Sequence, residues 1–394
     1  MGVSRRQMLG TMAAAGASTL IDPGTVLARL AASQPCAVAG DASMLLGTLP
    51  LFRSVAQVQP FGVKIGGPGL DARLVTDLSM LEPDRLITSN PLAFIRTESP
   101  RAAASRKPWT IAASGLIAAQ STLTLVDLTR LARNMGPHLL ECSGNNNPAN
   151  FGLMSVCEWD GVLLSDVISR LRPSPAATGV LVSGMDHDAQ RSADSIWGAS
   201  WVFPLASLDR LGAFLAVRMN GEPLPQDHGA PVRLVVPGWY ACTWIKWVNE
   251  IRLTAADEPA TTQMREFAGR THQAGRHDLA RDYTPADIQT AATPIRVEKR
   301  RNLEGTYYRI VGIVWGGDKP VDRLAIRFRR DGAWTPFPIC PAPTTTRTWS
   351  LWEYRWQPAA AGVYDISLSV PDRSVPQRRL DSGYYMRQVR VEEI

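Results

Sequence analysis

A chain of 394 residues carrying a net charge of +6 exceeds what one hydrophobic core usually organises, which points to two domains. Its positive charge is mainly scattered arginine with no basic stripe interleaved with aromatics, so nucleic acid is excluded as the expected partner in favour of small anions or an acidic protein. The five cysteines, Cys36, Cys142, Cys157, Cys242 and Cys340, are an odd set without a CxxC pair, which argues against a disulfide framework, a zinc site and an attached c-type haem.

The first 33 residues read as an export signal. Ser4-Arg5-Arg6-Gln7-Met8-Leu9 is a twin-arginine run, and the uncharged stretch Gly10 to Ile21 behind it is too short to span a bilayer. Twin-arginine export carries proteins that are already folded, often around a cofactor, so a periplasmic location without stable membrane insertion is expected. Leu45 to Arg73, rich in Pro and Gly, reads as loops. From Trp109 short apolar runs (Thr110 to Gly115, Val180 to Ser183, Phe214 to Met219, Val232 to Val236, Trp247 to Leu253) predict strands. Helical spacing over Leu123 to Arg133, with Thr124 and Asp127 near its start, and over Val162 to Leu171 predicts helices. Together these imply an α+β domain over 34–256. Residues 257–294 are polar and weakly periodic and read as a long irregular connection. Over 295–394 apolar residues alternate at period two, which predicts an all-β sandwich of immunoglobulin-like type.

Two runs carry the chemistry. His138-Leu139-Leu140-Glu141-Cys142-Ser143-Gly144-Asn145 puts a cysteine at the end of an apolar run, where it enters a loop of small residues that a metal can approach. Taken alone, such a cysteine is more often a small buried hydrophobe. The second run, Met219 to Tyr240 continuing through Thr243-Trp244-Ile245-Lys246-Trp247, sets His228, Arg233 and Lys246 around a strand flanked by Gly-Pro turns. A forked and a point cation so placed can grip a phosphate-bearing ligand, the alternative being charges merely solvated at strand ends.

Together these runs resemble the sulfite oxidase family of molybdopterin enzymes, whose cysteine loop reads Glu-Cys-(Ala/Ser)-Gly-Asn and whose later segment runs Met-Asn-Gly, His-Gly-x-Pro-x-Arg, Pro-Gly, Lys-Trp. The resemblance extends through Glu158-Trp159-Asp160-Gly161-Val162 and covers most of the chain beyond Leu92. It implies a molybdenum-molybdopterin cofactor with Cys142 as the protein's metal ligand. His228, Arg233 and Lys246 would hold the pterin and its phosphate, with contacts from Thr243, Trp244 and Ile245. Phe94-Ile95-Arg96 matches the family's Phe-x-Arg segment at the metal pocket, with Arg96 facing an anionic substrate, although the family's following Asn-His is here Thr97-Glu98. Asp186 falls where the family places another pterin-binding acid.

The departures concern the substrate. Sulfite oxidases proper follow the cysteine loop with a sulfite-binding arginine, where this chain has Asn145-Asn146-Asn147, and the tyrosine over the metal is replaced by Phe267, which cannot donate a hydrogen bond. Arg270 and His272 could compensate from the long connection, or could belong to a solvated loop. Cys157-Glu158-Trp159 looks closer to the molybdenum subunit of sulfane dehydrogenase. Trp197, Trp201 and Tyr240 are read as packing rather than as pocket wall.

The resemblance therefore implies oxidation of sulfite or a related sulfur compound by oxygen-atom transfer. Since the chain has no haem or iron–sulfur motif, electrons would leave to a separate c-type cytochrome. A homodimer through the β-sandwich is likewise implied by the family alone. Two rivals are kept: a sulfoxide-type reductase of the same cofactor class, and a cofactor-free structural or binding subunit.

Overall fold

The computed structural model describes residues 43–52, 60–67, 69–188 and 199–392, so the twin-arginine run and Trp197 lie outside the described residues. The chain is rich in sheet and poor in helix. Among the described residues the longest α-helices, Leu125–Leu131 and Leu164–Arg170, have seven residues each, so the α component of the α+β expectation is slight there.

The N-terminal unit is built on two five-stranded sheets. One runs Ser200–Pro204, Gly179–Gly184, Val248–Thr254, Thr110–Gly115 and Ser121–Thr124, with Val248–Thr254 parallel to Thr110–Gly115 and the other pairs antiparallel. The other runs Glu222–Pro223, Phe214–Met219, Met154–Leu163 and Arg133–Glu141, with Arg233–Val235 also paired to Phe214–Met219. Phe214, Leu215, Ala216, Val180, Val182 and Ile251 are fully buried in the common core. That explains why these strands read as continuous apolar runs. The two expected helices occur but are shorter than their apolar periodicity, because a strand takes the first part of each run. Met154–Leu163 reaches into the second, and Ser121–Thr124 into the first. Thr124 then caps its helix, accepting a hydrogen bond from the Asp127 amide at 3.1 Å.

The C-terminal unit has two four-stranded sheets sharing one core. One is Met44–Leu49, Ala291–Asn302, Gly305–Trp315 and Ser350–Trp356; the other is Thr335–Pro338, Arg323–Arg327, Gly362–Ser369 and Arg387–Val391. Two sequence expectations are corrected here. Met44–Leu49 is not loop but an antiparallel edge strand of this unit, invisible to periodicity because its face is almost wholly exposed. Asp71–Leu74 is likewise a strand, pairing with Ile95–Thr97. The connection 257–294 is largely irregular but holds the short helix Thr262–Phe267, and its last residues already belong to the strand starting at Ala291. Cys340 is disulfide-bonded, whereas Cys142, Cys157 and Cys242 are free, so one covalent link exists where the odd cysteine count suggested none.

Candidate active site

The cysteine loop begins where the strand Arg133–Glu141 ends. The Cys142 amide still donates to Leu153 O at 2.9 Å, closing the hairpin, and the Asn145 amide then returns to Cys142 O at 3.0 Å, so the loop turns at once. This leaves the half-buried thiol facing a cavity of about 390 Å³. Burial pushes the Cys142 thiol up from its ordinary range, while the Gly144 amide, which donates to Sγ at 3.4 Å, and the Arg96 and Arg270 charges pull it back. Cys157, by contrast, is fully enclosed and pushed up to about 12 by burial, an inert packing thiol.

The cavity joins residues from five stretches of the chain. Phe94, Ile95 and Arg96, then Cys142, Asp186, His228 and Arg233, and Trp244, Ile245 and Lys246 all line it. Of the residues expected from the sequence only Thr243 does not. It is fully buried behind the wall, where its hydroxyl donates to Tyr240 O at 2.9 Å. A neighbouring cleft of about 720 Å³ shares Ile95, Asp227 and His228 with the cavity.

One end of the cavity is a cationic cradle. Arg233 is 3% exposed, and it donates to His228 O at 2.9 Å and Trp244 O at 3.5 Å, with no carboxylate paired to it among the described residues. Its guanidinium lies over the rings of Trp159 and Trp244, at 5.3 and 5.7 Å. Burial brings Arg233 down to about 10. Lys246 reaches the carbonyls of Thr97 and Asp227. Burial and then Arg233 bring it down to about 7, against the pull of Asp227 and Asp186. His228 is brought down to about 3 by burial, then Arg233 and Lys246, so it is neutral at physiological pH. A buried arginine, a half-buried lysine and a neutral imidazole converge, and among the described residues Arg233 Nε has no hydrogen-bond partner. A buried polar atom so left costs free energy until an acceptor arrives, and a phosphate oxygen is such an acceptor.

Tight packing brings the cradle together. Gly229 follows the turn Gln226–His228 at φ +106°, and a Cβ there would stand 3.0 Å from the Cβ atoms of both Arg233 and Lys246. Only glycine lets the backbone pass between the two cationic residues. Asp186 closes the far side by accepting the Ala199 amide at 3.0 Å.

The other end, near Cys142, holds three arginines. Arg96 pairs with buried Asp71, Arg73 lies 3.5 Å from the same carboxylate, and Arg270 comes from the long connection, its guanidinium 5.6 Å over the Phe267 ring. Arg270 and Phe267 both line the cavity. His272 does not; its ring turns away to Tyr240, with Nε2 3.5 Å from the hydroxyl oxygen. Tyr240 and Trp201 are buried in the core, as packing requires.

Sequence reasoning missed Arg73, Asp227, Gln263 and Cys242, all of which line the cavity. Arg73 sits in the stretch read as loops, and its short strand offers no period to detect. Asp227 was inside the quoted run beside His228 but given no part. Burial alone would raise it, yet Lys64, the Ser99 amide and Lys246 together hold it below the ordinary carboxylate range.

Among the described residues no three His, Cys, Asp or Glu side chains converge as a metal site, so a metal bound at Cys142 must bring further ligands of its own. A molybdopterin does so through its dithiolene, and it also carries the phosphate that the cradle fits. Residues 98–262 match the family model described as the oxidoreductase molybdopterin binding domain. Mitochondrial sulfite oxidases of Macaca fascicularis and Homo sapiens are each 26% identical over 334 residues, 79% of this chain and 59% of theirs. The chain carries an oxidoreductase molybdopterin binding domain and is similar in sequence to the sulfite oxidases. Its cofactor is molybdenum-molybdopterin. The chain spans 59% of the length of the two sulfite oxidases just named. Nitrate reductase of Hordeum vulgare is 31% identical over 180 residues, 42% of this chain and 20% of that protein. Among solved structures, the sulfane dehydrogenase SoxCD from Paracoccus pantotrophus matches at a TM-score of 0.60 and 17% identity, covering 87% of this chain and 96% of that one. The sulfite oxidase fold thus accommodates both units of the chain. Among the described residues no helix is long and apolar enough to cross a membrane.

Proposed function

We propose that this protein oxidises a small sulfur oxyanion, sulfite or a related compound, and passes the electrons to a c-type cytochrome. One observation carries the reading: Cys142 and the Arg233–Lys246–His228 cradle open into a single cavity that also holds Arg73, Arg96 and Arg270. When bound, the molybdenum cofactor supplies two-electron oxygen-atom chemistry. The chain's own residues would hold and orient it: Cys142 through its thiolate, the cradle through the phosphate, and Phe94, Ile95, Asp186, Trp244 and Ile245, which line the cavity, along the pterin.

Arg96 and Arg270 both line the cavity that Cys142 faces, so a substrate anion beside the metal would be held by their charge. Fixed cations in a water-poor pocket stabilise such an anion without reorganising as it reacts. Arg270 in this reading supplies the charge that the cysteine loop lacks at Asn147, and Phe267 beneath it adds an apolar floor. The sequence similarity to sulfite oxidases supports a sulfur substrate. The twin-arginine run supports a periplasmic enzyme, and the C-terminal sheet pair supports an immunoglobulin-like unit of the kind that forms homodimers in this family.

Similarity to a nitrate reductase keeps a second reading, oxygen transfer in the reductive direction. Both are tested with molybdenum-loaded full-length protein offered sulfite and thiosulfate with a c-type cytochrome or dye, and nitrate and sulfoxides with a reduced dye. Sulfur-dependent reduction of the cytochrome, with apparent affinity weakened about ten-fold or more by Arg96→Ala and by Arg270→Ala, is the expected result. Turnover of nitrate or sulfoxide alone would replace the first reading with the second. Unchanged affinity in both variants would remove the arginines from the substrate site.

A further inference from the structure

Glu141 immediately precedes Cys142, yet its side chain does not belong to the cavity. It is 1% exposed and points into the interface with the C-terminal unit. Arg378 meets it as a two-pronged pair, Nη1 to Oε1 and Nη2 to Oε2, each at 2.8 Å, and Trp315 Nε1 donates to Oε2 at 2.8 Å. The Arg378 guanidinium is itself fixed. It donates to the Tyr385 hydroxyl at 2.5 Å and lies over the rings of Tyr240, Trp315 and Tyr385, at 5.3, 5.8 and 5.7 Å. Midway along the same loop a second C-terminal arginine, Arg387, donates to Pro148 O at 2.6 Å, its guanidinium over the rings of Phe52 and Phe151 at 4.5 and 5.5 Å. A backbone bond, Leu139 N to Arg347 O at 2.6 Å, ties down the strand that leads in.

We propose that Arg378 and Arg387 are positioning residues of the metal site, through which the C-terminal unit fixes the direction of the Cys142 thiol by clamping its loop on either side of that residue, at Glu141 and at Pro148. Neither arginine lines the cavity, and neither contact is needed to join the two units, which also meet through Trp349 Nε1 on Leu86 O and Arg296 on Leu81 O. A planar guanidinium bound at two points fixes orientation as well as distance, which a lysine cannot do. Because Glu141 and Cys142 are consecutive, anchoring the Glu141 side chain restrains the backbone from which the Cys142 side chain leaves. A ligand's outer partners commonly change metal affinity by about 10–100-fold.

The inference rests on Cys142 as the metal ligand, and its test keeps the two apart. Full-length wild type, Arg387→Gln, Arg378→Lys and the charge-free pair Glu141→Leu with Arg378→Leu are matured with cofactor. Molybdenum per chain, the rate of its release and the molybdenum(V) paramagnetic resonance spectrum are then measured. On cofactor-free protein, the rate of Cys142 alkylation by iodoacetamide is followed by mass spectrometry. The charge-free pair removes the buried carboxylate along with its partner, so it folds without the penalty of a stranded ion. The expected result is molybdenum release about ten-fold faster in Arg387→Gln and in the charge-free pair, a shifted resonance spectrum and faster Cys142 alkylation, with Arg378→Lys between these and wild type. Wild-type release, spectrum and alkylation in Arg387→Gln and in the charge-free pair would overturn the clamp and leave both arginines as interface packing. Should the charge-free pair fail to fold, Arg387→Gln, which leaves Glu141 paired, decides alone. A wild-type protein that matures without molybdenum would instead defeat the ligand assignment itself.

Discussion

The Arg233 guanidinium lies 5.3 Å from the Trp159 ring, and the carbonyls it reaches leave its Nε without a partner. A buried arginine in that condition costs the empty protein stability and favours the loaded one. Arg233→Met is therefore expected to raise the melting temperature of cofactor-free protein, by the equivalent of about 1 kcal/mol, while lowering cofactor retention about ten-fold or more. Calorimetry of the two forms checks the opposite signs. A variant that melts lower when empty and holds its cofactor normally would show Arg233 to be a structural cation.

The cradle also sets a pH dependence. Lys246 is brought from 10.5 down to about 7 by burial and Arg233, so between those values the unfolded chain binds a proton that the fold rejects. Stability of the cofactor-free protein must then rise with pH across that window, by roughly 1.4 kcal/mol per unit at most. His228, brought from 6.5 to about 3, and His138, brought to about 4, act with the same sign at lower pH. The fold loses their contribution as pH falls through 6.5. Lys246→Met should flatten the alkaline slope only, and cofactor loading should do the same, because a phosphate beside Lys246 restores its proton. Melting temperatures from pH 4 to 10 test each limb separately.

Gly229 separates two cationic residues by the space of one missing methyl. Gly229→Ala would force a non-glycine residue to φ +106° while pressing on the Cβ atoms of Arg233 and Lys246. Backbone strain of this kind costs on the order of 1–3 kcal/mol, and the displaced cations should lose the cofactor at least ten-fold faster. Gly221→Ala serves as the control, since it also has positive φ but an added Cβ meets nothing within 4 Å. Equal cofactor loss in both variants would mean that strain alone, not the spacing of the cradle, matters.

What the sequence disclosed followed the reach of its local patterns. Cys142 was legible because its loop is contiguous, and His228, Arg233 and Lys246 because they fall within one run around a strand. The C-terminal strands were legible from alternation at period two. Arg73 was not, because its function depends on Asp71 and on a cavity whose other walls are distant in the chain. Arg378 pairs with a carboxylate 237 positions away, a separation no local pattern can announce. Met44–Leu49 was lost for a different reason. As an exposed edge strand it buries no face, so it lacks the alternation by which strands are recognised.

Asn147 stands where sulfite oxidases proper carry a substrate arginine, and its side chain is already engaged. Its Oδ1 accepts the amides of Ala149 at 2.9 Å and Asn150 at 3.2 Å, holding the turn that ends the cysteine loop. Asn147→Ala should therefore cost about 1 kcal/mol of stability without altering charge, and Asn147→Arg should cost about the same while adding a cation to a cavity already lined by four arginines, Arg73, Arg96, Arg233 and Arg270. If a small sulfur oxyanion is the substrate, only Asn147→Arg should lower its apparent KM, by roughly ten-fold at low salt and less as salt is raised. The comparison separates charge from loop geometry, since both variants lose the same two hydrogen bonds. A rise in KM common to the two would show that the turn held by Asn147, rather than the number of cations, limits binding of the anion.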